Sequence, residues 1–134
     1  DISNAKRLFA LCPVPVAVVS LELGKTVNYP GASIETDFAW AGKHPMVEGY
    51  KAYRKMPYDR PTWDLTSVLH SVEGPSYFNV SPAGKINVTD QGATEFTPDA
   101  AGNRYYLTVD SIQAENIKQH FVQLLTKQPA HFNK

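Results

Sequence analysis

Asp64 and the residue before it, Trp63, have the types and placement in this chain that most suit chemistry. They lie in the run Arg60-Pro61-Thr62-Trp63-Asp64-Leu65-Thr66-Ser67-Val68-Leu69, where Leu65, Val68, Leu69 and Val72 follow the i, i+3, i+4, i+7 spacing of one buried helix face. A helix is expected to start near Asp64. Pro61 suits its first turn, and Thr62 offers a hydroxyl cap. Free amide hydrogens and the helix dipole stabilise a carboxylate in such a turn. That accounts for Asp64 as a helix-start charge alone. The competing reading makes Asp64 a metal ligand held at the helix start, with the Trp63 indole as a flat surface for a substrate ring. Tyr50, Tyr53 and Tyr58 surround the approach to Trp63 along the chain and are substrate-binding candidates, lining an apolar pocket with polar tips; core and rim positions would explain them equally.

Metal chemistry needs more than one carboxylate. A hard cation such as calcium takes about six to eight oxygen ligands. Asp59 and Asp64 stand five apart across a proline, and Glu35 and Asp37 straddle a single residue, so no local cluster forms. Any metal at Asp64 would draw most of its ligands from elsewhere. Cys12 is the one cysteine and sits in an apolar run, where a buried, inert thiol is expected. His44 reads as a neighbour of a helix cap, and His70 as a structural residue of the helix after Asp64.

The elements that must position these groups follow from periodicity and punctuation. Residues 3 to 12 read as a helix capped by Ser3 or Asp1, with Ala5, Leu8, Phe9 and Cys12 on one side, stopped by Pro13. Val14 to Val19 is a continuous apolar run, the pattern of a strand buried on both faces in a parallel sheet covered by helices. Helix, tight turn and buried strand together indicate an α/β architecture. Ligands in such folds gather beyond the carboxyl ends of strands, which makes Ser20 to Gly24 the functional rim and Glu22 its polar residue, with a surface carboxylate as the alternative.

Downstream, Ile34 to Trp40 is a short amphipathic piece, and His44-Pro45 opens a helix to about Lys55 with Val47, Tyr50 and Tyr53 on one face. Short alternating runs at Tyr77 to Val80, Lys85 to Thr89, Thr94 to Phe96 and Tyr105 to Val109 give a small antiparallel β region near 77–109. Asp110 and Gln113 form a capping box ahead of the stripe Ala114, Ile117, Phe121, Leu124 and Leu125, which runs to about Lys127.

Bulk properties exclude several classes. The 134 residues suit one domain with a real core, and no internal boundary is visible. With 13 basic and 13 acidic residues the chain has no field to attract nucleic acid. Its longest uninterrupted apolar run, Val14 to Val19, is far too short to span a membrane. The chain opens at Asp1 without methionine or a signal-like segment, so the start of the gene product is expected upstream; compartment stays open, with the cytoplasm favoured.

The run from Arg60 to Leu69, with His44-Pro45-Met46-Val47 and Tyr50 before it and Tyr77-Phe78 after it, resembles the carboxyl-terminal part of the nucleoside hydrolase family of the inosine-uridine preferring type, especially its bacterial members. The segment Pro13 to Gly24 followed by Tyr29-Pro30 is similar to the same family. The resemblance covers nearly the whole chain and is most specific at residues 60–69.

It implies a Rossmann-like α/β fold, an enzyme of nucleoside salvage and purine metabolism, and a bound calcium ion that holds the ribose hydroxyls and the attacking water. It makes Asp64 a calcium ligand and Trp63 the residue that acts beside the leaving base, with purine nucleosides favoured. The family's amino-terminal aspartate cluster has no counterpart here. The resemblance therefore implies that residues 1–134 are the carboxyl-terminal part of a longer domain, inactive alone, with the missing amino-terminal half of the same protein as partner and with homo-oligomers possible. The alternative is a non-catalytic α/β ligand-binding or interaction module. If the chain is such a part, a parallel strand at Val14 to Val19 wants neighbours on both edges, and an exposed apolar surface is expected.

Overall fold

Asp1 caps the first helix. In the computed structural model, which describes residues 1–130, its carboxylate accepts the Asn4 amide hydrogen at 3.2 Å, so Asp1 rather than Ser3 closes α1 (Ile2–Leu11). The remaining positions, 131 to 134, lie outside the described residues. No residue of α1 is buried, and Leu8 is 54% exposed. The stripe read from periodicity therefore covers the sheet without entering the core, and Cys12 is half-buried rather than buried.

Strand β1 (Val16–Val19) pairs in parallel with β7 (Arg104–Thr108), Val16 opposite Arg104 and Val19 opposite Leu107. This parallel pair joins the start of the chain to its last strand. The expectation of burial on both faces is corrected: Ala17 is exposed and its three companions are half-buried. The physical reason is position, because β1 is an edge of the sheet among the described residues.

The sheet is mixed. Its order is β1-β7-β5-β6, with β5 (Gly84–Val88) antiparallel to both β7 and β6 (Thr94–Pro98), and with β4 (Asn79–Val80) also paired to β7. Val80 faces Leu107 while Gly84 faces Arg104, four steps on one strand against three on the other. The extra residue is a bulge at Ser81-Pro82-Ala83, where proline's missing amide hydrogen does no harm. Ser81 repairs the ladder by accepting the Tyr106 amide hydrogen on its hydroxyl at 3.0 Å.

Between β1 and β4 the chain builds the helical layer: α2 (Leu21–Thr26), β2 (Asn28–Tyr29), α3 (Gly31–Thr36), α4 (Pro45–Tyr53), β3 (Arg60–Pro61) and α5 (Trp63–Glu73). The two short strands pair with each other, antiparallel. The amphipathic piece Ile34 to Trp40 is divided: α3 ends at Thr36, and Trp40 sits in a 3-10 turn with its indole N–H donating to the Thr126 carbonyl at 3.1 Å. His44 caps α4, its Nδ1 accepting the Met46 amide hydrogen at 3.3 Å.

The face of α5 is also corrected. Val68 and Val72 are 56% and 76% exposed, while Thr66 and Leu69 are buried and Leu65 is half-buried. Thr66 tolerates burial because its hydroxyl donates to the Thr62 and Trp63 carbonyls at 3.1 and 2.7 Å. Thr62 does not cap with its side chain; its hydroxyl donates to the Val27 carbonyl at 2.8 Å.

The last helix, α6 (Ser111–Leu125), has both arms of its capping box: the Asp110 carboxylate accepts from the Gln113 amide at 2.8 Å, and the Gln113 side chain accepts from the Asp110 amide at 2.9 Å. Its buried residues Ala114, Ile117 and Phe121 meet Leu107 of the sheet in one core with Tyr29, Ile34 and Leu69. Asp110→Ala is expected to lower the unfolding free energy by about 1 kcal/mol, read by urea titration, since the Gln113 amide loses its acceptor while the arm from the residue 110 amide to the Gln113 side chain is kept. An unchanged urea midpoint would remove the box from the account of α6.

Candidate functional site

The carboxyl end of β1 runs straight into α2, and this junction holds Trp63. Ser20 caps α2 by accepting the Leu23 amide hydrogen on its hydroxyl at 3.1 Å. The Trp63 indole N–H donates to the Leu21 carbonyl at 3.2 Å, and its ring lies on Gly24. A Cβ at Gly24 would stand 1.9 Å from Trp63 Cδ1, so the glycine makes room for the indole. The Thr62 amide donates to the Gly24 and Val27 carbonyls, both at 3.2 Å, which ties the start of α5 to the end of α2.

Gly24→Ala is expected to displace the indole and to cost about 1–3 kcal/mol through overpacking, even though alanine is the better helix former. Tryptophan fluorescence and a thermal melt check it together. An unshifted spectrum at full stability would mean that Trp63 is not seated on α2 in solution.

Asp64 follows in the first turn of α5, exposed, and its carboxylate makes no hydrogen bond or ion pair with any described residue. Its oxygens are unspent. Trp63 is 38% exposed, so part of the indole face beside that carboxylate is open. Glu22 occupies the first turn of α2 and is held below the usual carboxylate range, first by a backbone amide hydrogen, then by the Ser20 hydroxyl and Lys25.

A groove of about 770 Å³ opens at the same end of β1, between α1 and the sheet, with Phe9, Val18, Leu21, Glu22, Phe96 and Tyr106 among its walls. Of the rim read at residues 20–24, Ser20, Leu21 and Glu22 border this concavity, and Leu23 and Gly24 are buried. Trp63 and Asp64 are not among its lining residues.

Tyr50, Tyr53 and Tyr58 are brought together, but around a different centre. The rings of Tyr50 and Tyr58 stack at 5.3 Å, Tyr53 stands 6.3 Å from Tyr58, and the Tyr58 hydroxyl donates to the Tyr50 carbonyl at 2.9 Å. With Met46, Gly49 and Arg60 they line a groove of about 330 Å³ in which Trp63 takes no part. The Arg60 guanidinium lies 4.1 Å from the centre of the Tyr53 ring, and Arg54 lies 5.7 Å from that of Tyr58. Burial pushes the Tyr50 phenol up to about 12, partly offset by the Arg60 charge.

Sequence reasoning missed Arg60 and Gly24 as parts of these arrangements. Arg60 carried a signal, a cation next in line to a tyrosine-rich segment; a glycine inside a six-residue helix was the other. Among the described residues no group of three or more His, Cys, Asp or Glu side chains is gathered for a metal ion, so a hard cation at Asp64 would complete its ligands from outside them. No family model, curated protein or solved structure matches this chain.

Proposed function

We propose that this chain is the carboxyl-terminal part of a calcium-dependent nucleoside hydrolase, contributing Asp64 to the metal and Trp63 to the leaving base. The observation that supports it most is the pairing of an exposed carboxylate with unspent oxygens and a half-open indole fixed by the Leu21 carbonyl and Gly24. The donor chemistry fits: calcium takes carboxylate oxygen, and Asp64 would hold it with one side of its ligand shell. When bound, calcium supplies positive charge that positions ribose hydroxyls and acidifies a water.

Cleavage of an N-glycosidic bond develops positive charge on the sugar and negative charge on the base. Trp63 stacks on the departing base, which favours a purine with its larger ring face and raises its readiness to take a proton. Tyr50, Tyr53 and Tyr58 line a groove of their own and are not part of this site. The catalytic base and the remaining ligands belong to the amino-terminal half.

Two features favour a larger protein. Strand β1 is an edge of the sheet among the described residues, and α5, which packs beside it, turns Val68 and Val72 outward. A parallel strand with its covering helix is the kind of neighbour such an edge takes. The second reading, a non-catalytic ligand-binding module, draws on the two grooves, which need no metal.

The test is an intact-mass determination of the natural polypeptide, followed by ribose release from inosine and uridine with and without a calcium chelator. The proposal expects a longer chain or companion fragment and chelator-sensitive release. A natural mass matching 134 residues with no ribose released would leave the binding module.

A further inference from the structure

We infer that the tyrosine groove of α4 and β3 is a binding site for a small aromatic oxyanion, its ring bedded among Met46, Tyr50, Tyr53 and Tyr58 and its carboxylate or phosphate taken by Arg60. The inference goes beyond the proposed hydrolase and does not rest on it, because neither Asp64 nor Trp63 lines this groove.

Arg60 carries the argument. It is half-buried, and its guanidinium lies over the Tyr53 ring at 4.1 Å, a contact that uses the flat face and leaves the in-plane N–H donors unspent. Among the described residues its side chain makes no hydrogen bond and no ion pair, the backbone alone being paired with Tyr29. The carboxylates close to it in the chain are otherwise engaged: Asp59 accepts the Gly31 amide hydrogen at 2.9 Å, and Glu48 pairs with Lys51 at 3.7 Å. Arg54 and Lys55, on the same segment, likewise have no ion pair, so with Arg60 three cations stand against the Asp59 carboxylate, whose charge also reaches Tyr50, and the neighbourhood is net positive.

A half-buried guanidinium with free donors is suited to a planar or tetrahedral oxyanion, which it holds through two parallel hydrogen bonds. The remaining walls are aromatic or thioether, surfaces that favour a ring over an aliphatic chain. The Tyr50 phenol stays protonated at ordinary pH, since burial pushes it up to about 12, and so does not repel an anion. A volume of about 330 Å³ is at the small end of ligand sites and fits one ring system with its anionic group.

Gly49 supplies the control. It lines the groove, and a Cβ built there meets nothing within 4 Å, so Gly49→Leu fills the space from a helix position that tolerates a side chain.

The experiment is calorimetric titration of the full natural polypeptide, with a calcium chelator present, using inosine 5′-monophosphate against inosine, benzoate against benzamide, and inorganic phosphate alone. At least one aromatic anion is expected to bind about tenfold or more tighter than its neutral counterpart and tighter than phosphate, the advantage shrinking as salt rises. The two pairs tell a phosphate site from a carboxylate site. Arg60→Gln is expected to erase the advantage, Arg60→Lys to keep part of it, and Gly49→Leu to remove binding altogether. Neutral counterparts binding equally well, an advantage that survives Arg60→Gln, or unchanged binding in Gly49→Leu would each overturn the inference. Ribose release from inosine is read separately, on polypeptide supplied with calcium and free of chelator: anion binding without release supports the groove and counts against the hydrolase, and release without anion binding does the reverse.

Discussion

Arg104→Leu is expected to lower the unfolding free energy by about 3 kcal/mol, the loss that follows when several buried hydrogen bonds to a charged group vanish at once. Arg104 is 3% exposed and pairs with no carboxylate. It donates instead to backbone carbonyls: Phe9 at 3.0 and 2.8 Å, Cys12 at 2.8 Å and Val14 at 3.1 Å, with the Asn103 side chain at 2.6 Å. Several of these acceptors belong to the last turn of α1 and the residues just after it, where carbonyls lack helical partners and the dipole is negative. The arginine is thus both the polar cap of α1 and its tie to the sheet.

Arg104→Lys keeps the charge but cannot serve this many acceptors with a fork of fixed geometry, so about 2 kcal/mol should still be lost. Urea unfolding gives the magnitude, and hydrogen exchange gives the location: α1 amides should lose protection more than those of α6. A change below about 1 kcal/mol in both variants would refute this account of how α1 is held.

Asp64→Asn is expected to reduce chelator-sensitive ribose release by about three orders of magnitude in the full polypeptide, a loss equivalent to several kcal/mol of metal-dependent stabilisation. Stability should fall by only about 0.3–1 kcal/mol, because the side chain makes no hydrogen bond and gives up only its first-turn charge. Excess calcium should recover part of the lost rate if the missing oxygen charge had weakened the metal site. Full activity in Asp64→Asn, or a loss that calcium does not touch and that tracks unfolding, would reduce Asp64 to a helix-start charge.

The candidate site was legible where its signals were local. Tyr50, Tyr53 and Tyr58 were read as a group and are one, since a helix turn and a short loop bring them together. Their assumed neighbour Trp63 is set by a contact forty residues back in the chain, with Leu21 and Gly24, and therefore lies outside their groove. Of the rim expected at Ser20 to Gly24 from a general rule of strand ends, Ser20, Leu21 and Glu22 line a groove, while Leu23 and Gly24 are buried.

The face of α5 shows the limit of periodicity. Leu65, Val68, Leu69 and Val72 make an apolar stripe, but so short a helix has only to bury part of it, and the ties from Thr62 to α2 rotate Thr66 and Leu69 inward. Arg104 was invisible for a related reason. An arginine in a strand reads as solvent-facing until a helix end ninety residues earlier is folded over it.

By itself the sequence determined the box of Asp110 and Gln113, the turns between the late strands and the α/β mixture, because each depends on interactions within a turn or two of chain; it left the first cap open between Ser3 and Asp1 and read His44 as a neighbour of the cap that it is. Tertiary structure alone decided that β1 joins β7, that Arg104 closes α1, that Gly24 receives Trp63 and that Arg60 joins the tyrosines. Those contacts span long stretches of chain, and strand register and helix rotation, which set them, are chosen by how well the whole core closes.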